Sequence, residues 1–214
     1  MDEKPVVVLV GKVVPRARGT KPDQAYPPSS LAPVLGISQL RTLLATMSAR
    51  WGWTHRGAAR GYVLGLLGGW SGHLHYAAPL LEAVGGEACA FIPLWLLGRV
   101  GHLEVADLKA LGAFRGMRLG VDLGGVRSSS TAALAEALEK ALLLIQRACG
   151  YKPDWVWAGQ KPLDARMLLL ARRFGLRVLV GTGNAFFAPD RVPSDIRLLG
   201  AIPGLPQVSA SGAA

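Results

Sequence analysis

The stretch from residue 117 to residue 184 reads MRLGVDLGGVRSSSTAALAEALEKALLLIQRACGYKPDWVWAGQKPLDARMLLLARRFGLRVLVGTGN. Three short apolar runs lie in it, at Met117 to Leu123, Asp154 to Ala158 and Leu176 to Val180, and each has the length of a strand. Two amphipathic runs of helical period separate them. Because parallel strands need such crossovers, we predict an α/β fold in which a β-α-β-α-β unit, about residues 117–184, extends a mainly parallel, Rossmann-like sheet.

Turn and cap signals mark the ends of the two helices in this unit. Hydroxyl groups from Ser128 to Thr131 precede the first helix, where they can accept hydrogen bonds from unpaired amides. Pro162 is predicted to open the second helix and Gly175 to close it.

The N-terminal half is predicted to be helical and glycine-rich around one buried strand, Val6 to Val10. A helix is expected from Ile37 to Arg50. Gly61 to Leu81 carries no Asp, Glu, Lys or Arg, but its five glycines argue against a membrane span and favour a buried turn before a helix from about His75 to Val84. Cys89 to Leu97 is expected to add a strand or edge. We predict a single α/β domain over residues 1–206 and a flexible tail over 207–214.

The chain is strongly basic, with 24 Lys and Arg residues against 14 Asp and Glu, for a formal net charge of +10. This balance is typical of proteins that bind nucleic acid or an anionic membrane surface. The alternative is heavy use of Arg on solvated faces in a heat-adapted protein, with which a single Asn and two Cys agree. Cys89 and Cys149 form no CxxC motif, so free thiols are expected. No signal-peptide pattern opens the sequence, so we expect a cytoplasmic protein.

Each predicted strand ends in glycine followed by polar or basic residues. In open α/β sheets the carboxyl ends of the strands meet at one edge, the carboxyl rim, where ligands bind. Glycine after a strand is also ordinary turn chemistry, but its recurrence at four strands favours an anion site. The predicted phosphate-binding residues are Lys12, Arg16, Arg18, Arg127, Ser128, Ser129, Lys161, Thr182 and Asn184.

Aromatic and basic residues alternate between residues 50 and 62. Single-stranded nucleic acid is held by cationic grooves whose aromatic faces stack on bases. The alternative is that the two tryptophans fill the core and the arginines surround them. The predicted nucleic-acid-binding residues are Arg50, Trp51, Trp53, His55, Arg56, Arg60 and Tyr62.

Catalytic signatures are absent or incomplete. Gly11-Lys12 lacks the upstream glycine of a phosphate-binding loop, and Gly181-Thr182-Gly183 lacks the third glycine of a dinucleotide fingerprint. Asp122 ends a strand at the carboxyl rim, so it is the best candidate for a catalytic carboxylate, or else a structural acid. The metal-type residues are His73, His75, His102 and Glu104, but without motif spacing they are better explained as polar packing groups, and no metal or cofactor is predicted.

Three hypotheses follow. The first is a nucleic-acid-binding protein without catalysis that favours single-stranded DNA or RNA, and the second is an enzyme acting on a phosphate-bearing substrate at the carboxyl rim, with Asp122 as acid, base or metal ligand. The third is association with a membrane surface, or of the chain with a second copy, through Gly61 to Leu97.

Overall fold

The computed structural model describes residues 6–15, 32–48, 62–126, 130–159, 163–182 and 195–203. Strands and helices alternate along most of it, which confirms the predicted α/β class. The strands are β1 Val6–Val10, β2 Val13–Val14, β3 Leu35–Gly36, β4 Tyr62–Leu67, β5 Ala88–Ile92, β6 Met117–Asp122, β7 Trp155–Trp157, β8 Val178–Gly181 and β9 Arg197–Pro203. The α-helices are α1 Ile37–Thr46, α2 Ala78–Ala83, α3 Val105–Ala113, α4 Thr131–Cys149 and α5 Ala165–Phe174, with a π-helix at His73–Ala77 and a 3-10 turn at Leu94–Leu96.

Seven strands form one all-parallel sheet in the order β1-β4-β5-β6-β7-β8-β9, and this sheet closes into a barrel. Closure follows from the pairing of β1, which bonds β4 on one side and β9 on the other. The predicted β-α-β-α-β unit is confirmed as β6-α4-β7-α5-β8. The sequence pattern did not predict that the ends of the sheet would meet.

Alternate residues of each strand face the inside and the outside of the barrel, as the two-residue period of a strand requires. The inner cluster is compact and includes Phe91, Trp155 and Trp157 among eleven buried residues. The outer cluster joins the other face of the strands to the helices, including Leu138 of α4 and Leu170 of α5. The interior is therefore packed with side chains and is not a pore.

The prediction of a buried turn in the glycine-rich segment that begins at Gly61 is wrong. Its first described part is not a turn but β4, a strand bonded to β1 and β5. Gly65 belongs in this strand because a Cβ there would lie 2.7 Å from Cγ1 of Val7 inside the barrel. The helix expected from His75 to Val84 is instead a π-helix followed by α2, and Gly85, with φ +65°, ends it.

Helix ends differ from the predictions in two places. The second crossover helix, α5, starts at Ala165 and not at Pro162, because the Asp164 carboxylate accepts hydrogen bonds from the amides of Arg166 and Met167. The N-terminal helix α1 ends at Thr46 and continues as π-helical backbone at residues 47–48, and the last two positions of the predicted helix, 49–50, lie outside the described residues. The predicted hydroxyl cap of α4 is confirmed at Ser130, whose Oγ accepts from the Ala133 amide.

Strand β9, which closes the barrel, lies after the predicted β-α-β-α-β unit and was not among the predicted strands. Cys89, predicted to begin an additional strand or edge, lies inside β5, which is paired on both sides. Within the described residues, none of the helices is long and apolar enough to cross a membrane.

Candidate functional site

The carboxyl rim is one end of the barrel, because all seven strands are parallel. Described residues that follow strand ends there include Lys12 after β1, Trp70 after β4 and Thr182 after β8. The barrel thus brings together turns whose named residues, Lys12 and Thr182, lie 170 positions apart in the chain. This confirms the premise that the strand ends share one edge, although the edge is a ring and not the top of an open sheet.

Asp122 is the described acid that the fold places most directly at the carboxyl rim. It is the last residue of β6 and alternates with Val121 and Leu123, both of which belong to the outer cluster, so its side chain faces inward. The residue is 2% exposed, and its Oδ1 accepts a hydrogen bond of 2.6 Å from the amide of Gly124. A buried carboxylate held by backbone amides is fixed in orientation.

Glycines allow the loops around Asp122 to approach each other closely. A Cβ on Gly159 would lie 2.6 Å from the Cα of Gly124, so the loops after β6 and β7 contact each other through bare backbone. A Cβ on Gly124 would itself meet Oδ1 of Asp122 at 2.9 Å and Nε1 of Trp157 at 3.4 Å. The inner-facing indole and the carboxylate therefore lie near the same point of the rim.

Trp95 adds an aromatic face beside this point. The residue is half-buried, and a Cβ on Gly125 would lie 2.1 Å from its ring, so the indole rests directly on the Gly125 backbone. Ligand sites commonly combine apolar and aromatic walls with a few oriented polar groups. Asp122, at the end of β6, and Trp95, just after β5, supply both kinds of group.

A second cluster lies where β1 and β4 end. Trp70 stacks on His102 with ring centroids 3.9 Å apart, and the Lys12 Nζ lies 4.4 Å from the centre of the Trp70 ring. Nδ1 of His102 is 2.8 Å from the carbonyl oxygen of Gly68. The cluster holds one cation, Lys12, over a buried indole.

His73 is a buried histidine whose ring is hydrogen-bonded to the backbone. Its Nε2 donates to the Gly11 carbonyl over 2.7 Å, since a carbonyl can only accept, and Nδ1 is therefore unprotonated. Burial lowers the pKa of His73 to about 4, against the smaller opposing effect of the Gly11 bond, while nearby His102 also lowers it. Nδ1 has no hydrogen-bond partner among the described atoms.

Among the described side chains there is no group of three or more His, Cys, Asp and Glu that could hold a metal ion. His73 and His102 bind backbone carbonyls, as expected of polar packing groups, and His75 is exposed on the π-helix.

The structure describes only some of the predicted site residues. Asp122, Lys12 and Thr182 lie at the carboxyl rim, and the Thr182 hydroxyl donates to the Gly159 carbonyl at 3.4 Å. Tyr62 opens β4 at the opposite end of the barrel. The residues outside the described part of the chain are Arg16, Arg18, Arg50, Trp51, Trp53, His55, Arg56, Arg60, Arg127, Ser128, Ser129, Lys161 and Asn184.

Sequence reasoning missed the tryptophans of the carboxyl rim, Trp70, Trp95 and Trp157. Each stands at or just beyond the end of a strand. A search for aromatic residues at strand ends would have pointed to these positions. Their contacts are long-range, so no local pattern could have paired Trp95 with Gly125.

Neither a protein-family model nor a curated protein sequence matches the chain. Solved structures do resemble it over nearly its whole length. The Streptococcus pyogenes deacetylase PplD, in complex with acetate, matches with a TM-score of 0.71 and 12% identity over 97% of this chain and 95% of its own. A de-N-acetylase from Aggregatibacter actinomycetemcomitans matches with a TM-score of 0.68 and 11% identity over 94% and 95%. BC0361, a polysaccharide deacetylase from Bacillus cereus, matches with a TM-score of 0.66 and 10% identity over 94% and 65%.

These likenesses establish the fold and correct the functional prediction. The interpretation of the chain as a nucleic-acid-binding protein with a nucleic-acid partner is wrong, because PplD and the other solved structures named above, which share its fold, are deacetylases. That interpretation depended on net charge, which reports attraction for anions in general and does not specify a partner. It also depended on residues 50–61, which lie outside the described part of the chain.

Proposed function

We propose that this protein is a carbohydrate-modifying enzyme that removes acetyl groups from an N-acetylated polysaccharide at the carboxyl rim. The observation that carries the proposal is the whole-length likeness to PplD, a deacetylase whose structure holds acetate. Fold alone does not imply function, so the proposal also needs a site. Asp122 and Trp95, at the end of β6 and just after β5, supply a carboxylate and an aromatic wall for it.

Hydrolysis of the acetamido group requires one proton acceptor and one proton donor. Water adds to the carbonyl carbon of the acetamido group, the C–N bond breaks, acetate leaves and the sugar amine takes up a proton. Asp122 is assigned the role of general base that accepts the proton from water, since its carboxylate faces the inside of the barrel at the rim. Trp95 is assigned the role of packing against the sugar ring.

A second candidate function is recognition of the same polysaccharide without hydrolysis. One observation favours it. The Asp122 carboxylate is 2% exposed and already bonded to the Gly124 amide. A carboxylate held in this way can stabilise the rim and need not take part in a reaction.

One experiment separates the two functions. The full chain is incubated with N-acetylated chitooligosaccharides, with and without added divalent metal ions, while released acetate and the mass of the sugar are measured. Binding is measured in parallel by calorimetry. Acetate release that Asp122→Asn abolishes supports the enzyme, and binding without release supports recognition.

Asp154→Asn is the matched control, because it removes one carboxylate at the opposite end of the barrel, just before β7. It should leave both acetate release and sugar binding unchanged. Absence of release and of binding in the wild-type chain would rule out both functions for these sugars.

A further inference from the structure

A cleft of about 960 Å³ opens at the amino ends of the strands, on the side of the barrel opposite the carboxyl rim. We call it the amino-end cleft. It lies where β6 starts, between the turns that lead into β7 and β8. Its volume is at the upper end of the range usual for small-molecule sites.

Four basic side chains line the amino-end cleft against two carboxylates. Arg115 and Arg118 come from the start of β6, and Glu87 lies beside them before β5. The other charged residues of the cleft are Lys152, Asp154 and Arg177. The lining therefore has an excess of positive charge, which the fold itself does not require.

These four cations are not used in ion pairs within the described part of the chain. The salt bridges found there are Lys140–Glu136 on α4 and Arg166–Asp164 at the start of α5, and both lie outside the cleft. An anion that enters the cleft would be attracted by this excess of positive charge.

Arg118 places one of these charges deep in the cleft. It is the second residue of β6 and shares the inward face of this strand with Gly120 and Asp122. It therefore lies at the amino end of the barrel interior. Its side chain is half-buried, whereas Arg115, Lys152 and Arg177 are exposed at the edge. A charged group withdrawn from water interacts more strongly with an anion than one on an open surface.

Tyr151 adds a neutral donor. Its hydroxyl oxygen accepts a hydrogen bond of 3.1 Å from the Leu119 amide, which leaves the O–H available to donate. Burial raises the pKa of Tyr151 to about 12, so the hydroxyl keeps its proton at neutral pH. A protonated hydroxyl beside guanidinium groups is suited to an oxyanion acceptor.

We propose that the amino-end cleft binds a small multivalent oxyanion, a compound with two or more phosphate or carboxylate groups. The planar fork of arginine matches both groups in bidentate geometry, and three of the four cations are arginines. The cleft lies at the other end of the barrel from Asp122, so this proposal is independent of the proposed deacetylase function.

The test is a calorimetric titration of the full chain with inorganic pyrophosphate and, separately, with citrate. Both carry multiple negative charges, and their relative affinities distinguish phosphate-bearing from carboxylate-bearing ligands. Arg118→Gln with Arg177→Gln should weaken binding of the preferred anion about tenfold or more. Arg41→Gln with Lys109→Gln removes the same charge from exposed positions on α1 and α3 and should change affinity less than about twofold.

Asp154→Asn is expected to change the affinity for the anion in the opposite direction. It removes a carboxylate from the cleft while keeping the backbone carbonyl that accepts from the Arg177 and Val178 amides, so the anion should bind several-fold more tightly. Circular dichroism checks that each variant is folded. No binding of either anion at millimolar concentration, or equal weakening in the matched control, would overturn the proposal.

Discussion

Gly72 and Gly112 both lie in helical backbone but serve different needs. A Cβ on Gly72 would lie 2.0 Å from the carbonyl oxygen of Val13, a backbone atom that cannot rotate away. Around Gly112, in α3, the nearest atom is the Tyr151 hydroxyl at 3.4 Å, which is ordinary contact. The first glycine is required by packing, and the second only costs backbone entropy.

We therefore expect Gly72→Ala to destabilise the protein by about 1–3 kcal/mol and Gly112→Ala to stabilise it by about 0.5–1 kcal/mol. Urea unfolding followed by circular dichroism measures both changes. The two variants are matched, since each adds one methyl group to a helical position. Equal effects of the two would show that the segment before the π-helix does not pack on β2 as described.

His73 makes the free energy of unfolding depend on pH. Its pKa is about 4 in the folded protein and near 6.5 when exposed, so the unfolded chain binds the proton more readily between these values. Stability is fully present above about pH 6.5 and falls as the pH is lowered towards 4, by an amount of order 3 kcal/mol. Burial is the main cause of the lowered pKa, and no further loss of stability from His73 is expected below pH 4.

Urea unfolding at several pH values between 4 and 7 measures this dependence. His73→Gln should remove most of the fall, because no titrating ring remains at that position. His75→Gln should keep it, since His75 is exposed on the same π-helix. A steep fall that persists in His73→Gln would assign the effect to another group.

At the scale of elements, helix α5 depends on its N-cap. Asp164 Oδ1 accepts from the amides of Arg166 and Met167, at 3.0 and 3.2 Å. Asp164→Ala removes this acceptor and should cost about 1 kcal/mol, whereas Asp164→Asn keeps an acceptor and should cost only a few tenths. Thermal unfolding of the two variants checks the order, and an Asn variant as unstable as the Ala variant would point to the Arg166 ion pair instead.

The elements that sequence reasoning predicted well are those whose local pattern agrees with their place in the barrel. Strand β6 places the apolar residues Met117, Leu119 and Val121 on one face, and α4 shows one apolar face over 19 residues. Strands β4 and β9 were missed because Gly65, Gly200 and Pro203 suggest loops when viewed locally. Pairing on both sides overrides that preference, and it depends on residues far along the chain.

At the scale of the whole molecule, the position of a residue in the predicted fold was more informative about the candidate site than the net charge of the chain. Asp122 was singled out because it ends a strand, and the barrel does place it at the rim. The net charge of +10 suggested nucleic acid, but four of the basic residues line a cleft at the other end of the barrel. A count of charges cannot distinguish a surface that steers polyanions from a cluster that binds one small anion.

Closure of the barrel makes a final prediction about cooperativity. In an open sheet the first and last strands would be edges, and their amides would exchange with solvent faster than those of central strands. Here β1 bonds β4 and β9, so peptides covering residues 6–10 and 197–203 should be protected from hydrogen exchange about as well as residues 117–122.

Leu199→Ala opens a cavity on the inner face of β9, where the side chain is 3% exposed. It should lower the free energy of protection in all three peptides together by about 2–5 kcal/mol. Leu169→Ala, at a leucine that is 61% exposed on α5, should leave protection unchanged. If residues 197–203 exchanged freely while residues 117–122 stayed protected, β9 would be an edge strand and the sheet would be open, since only a closed ring ties the last strand to the first.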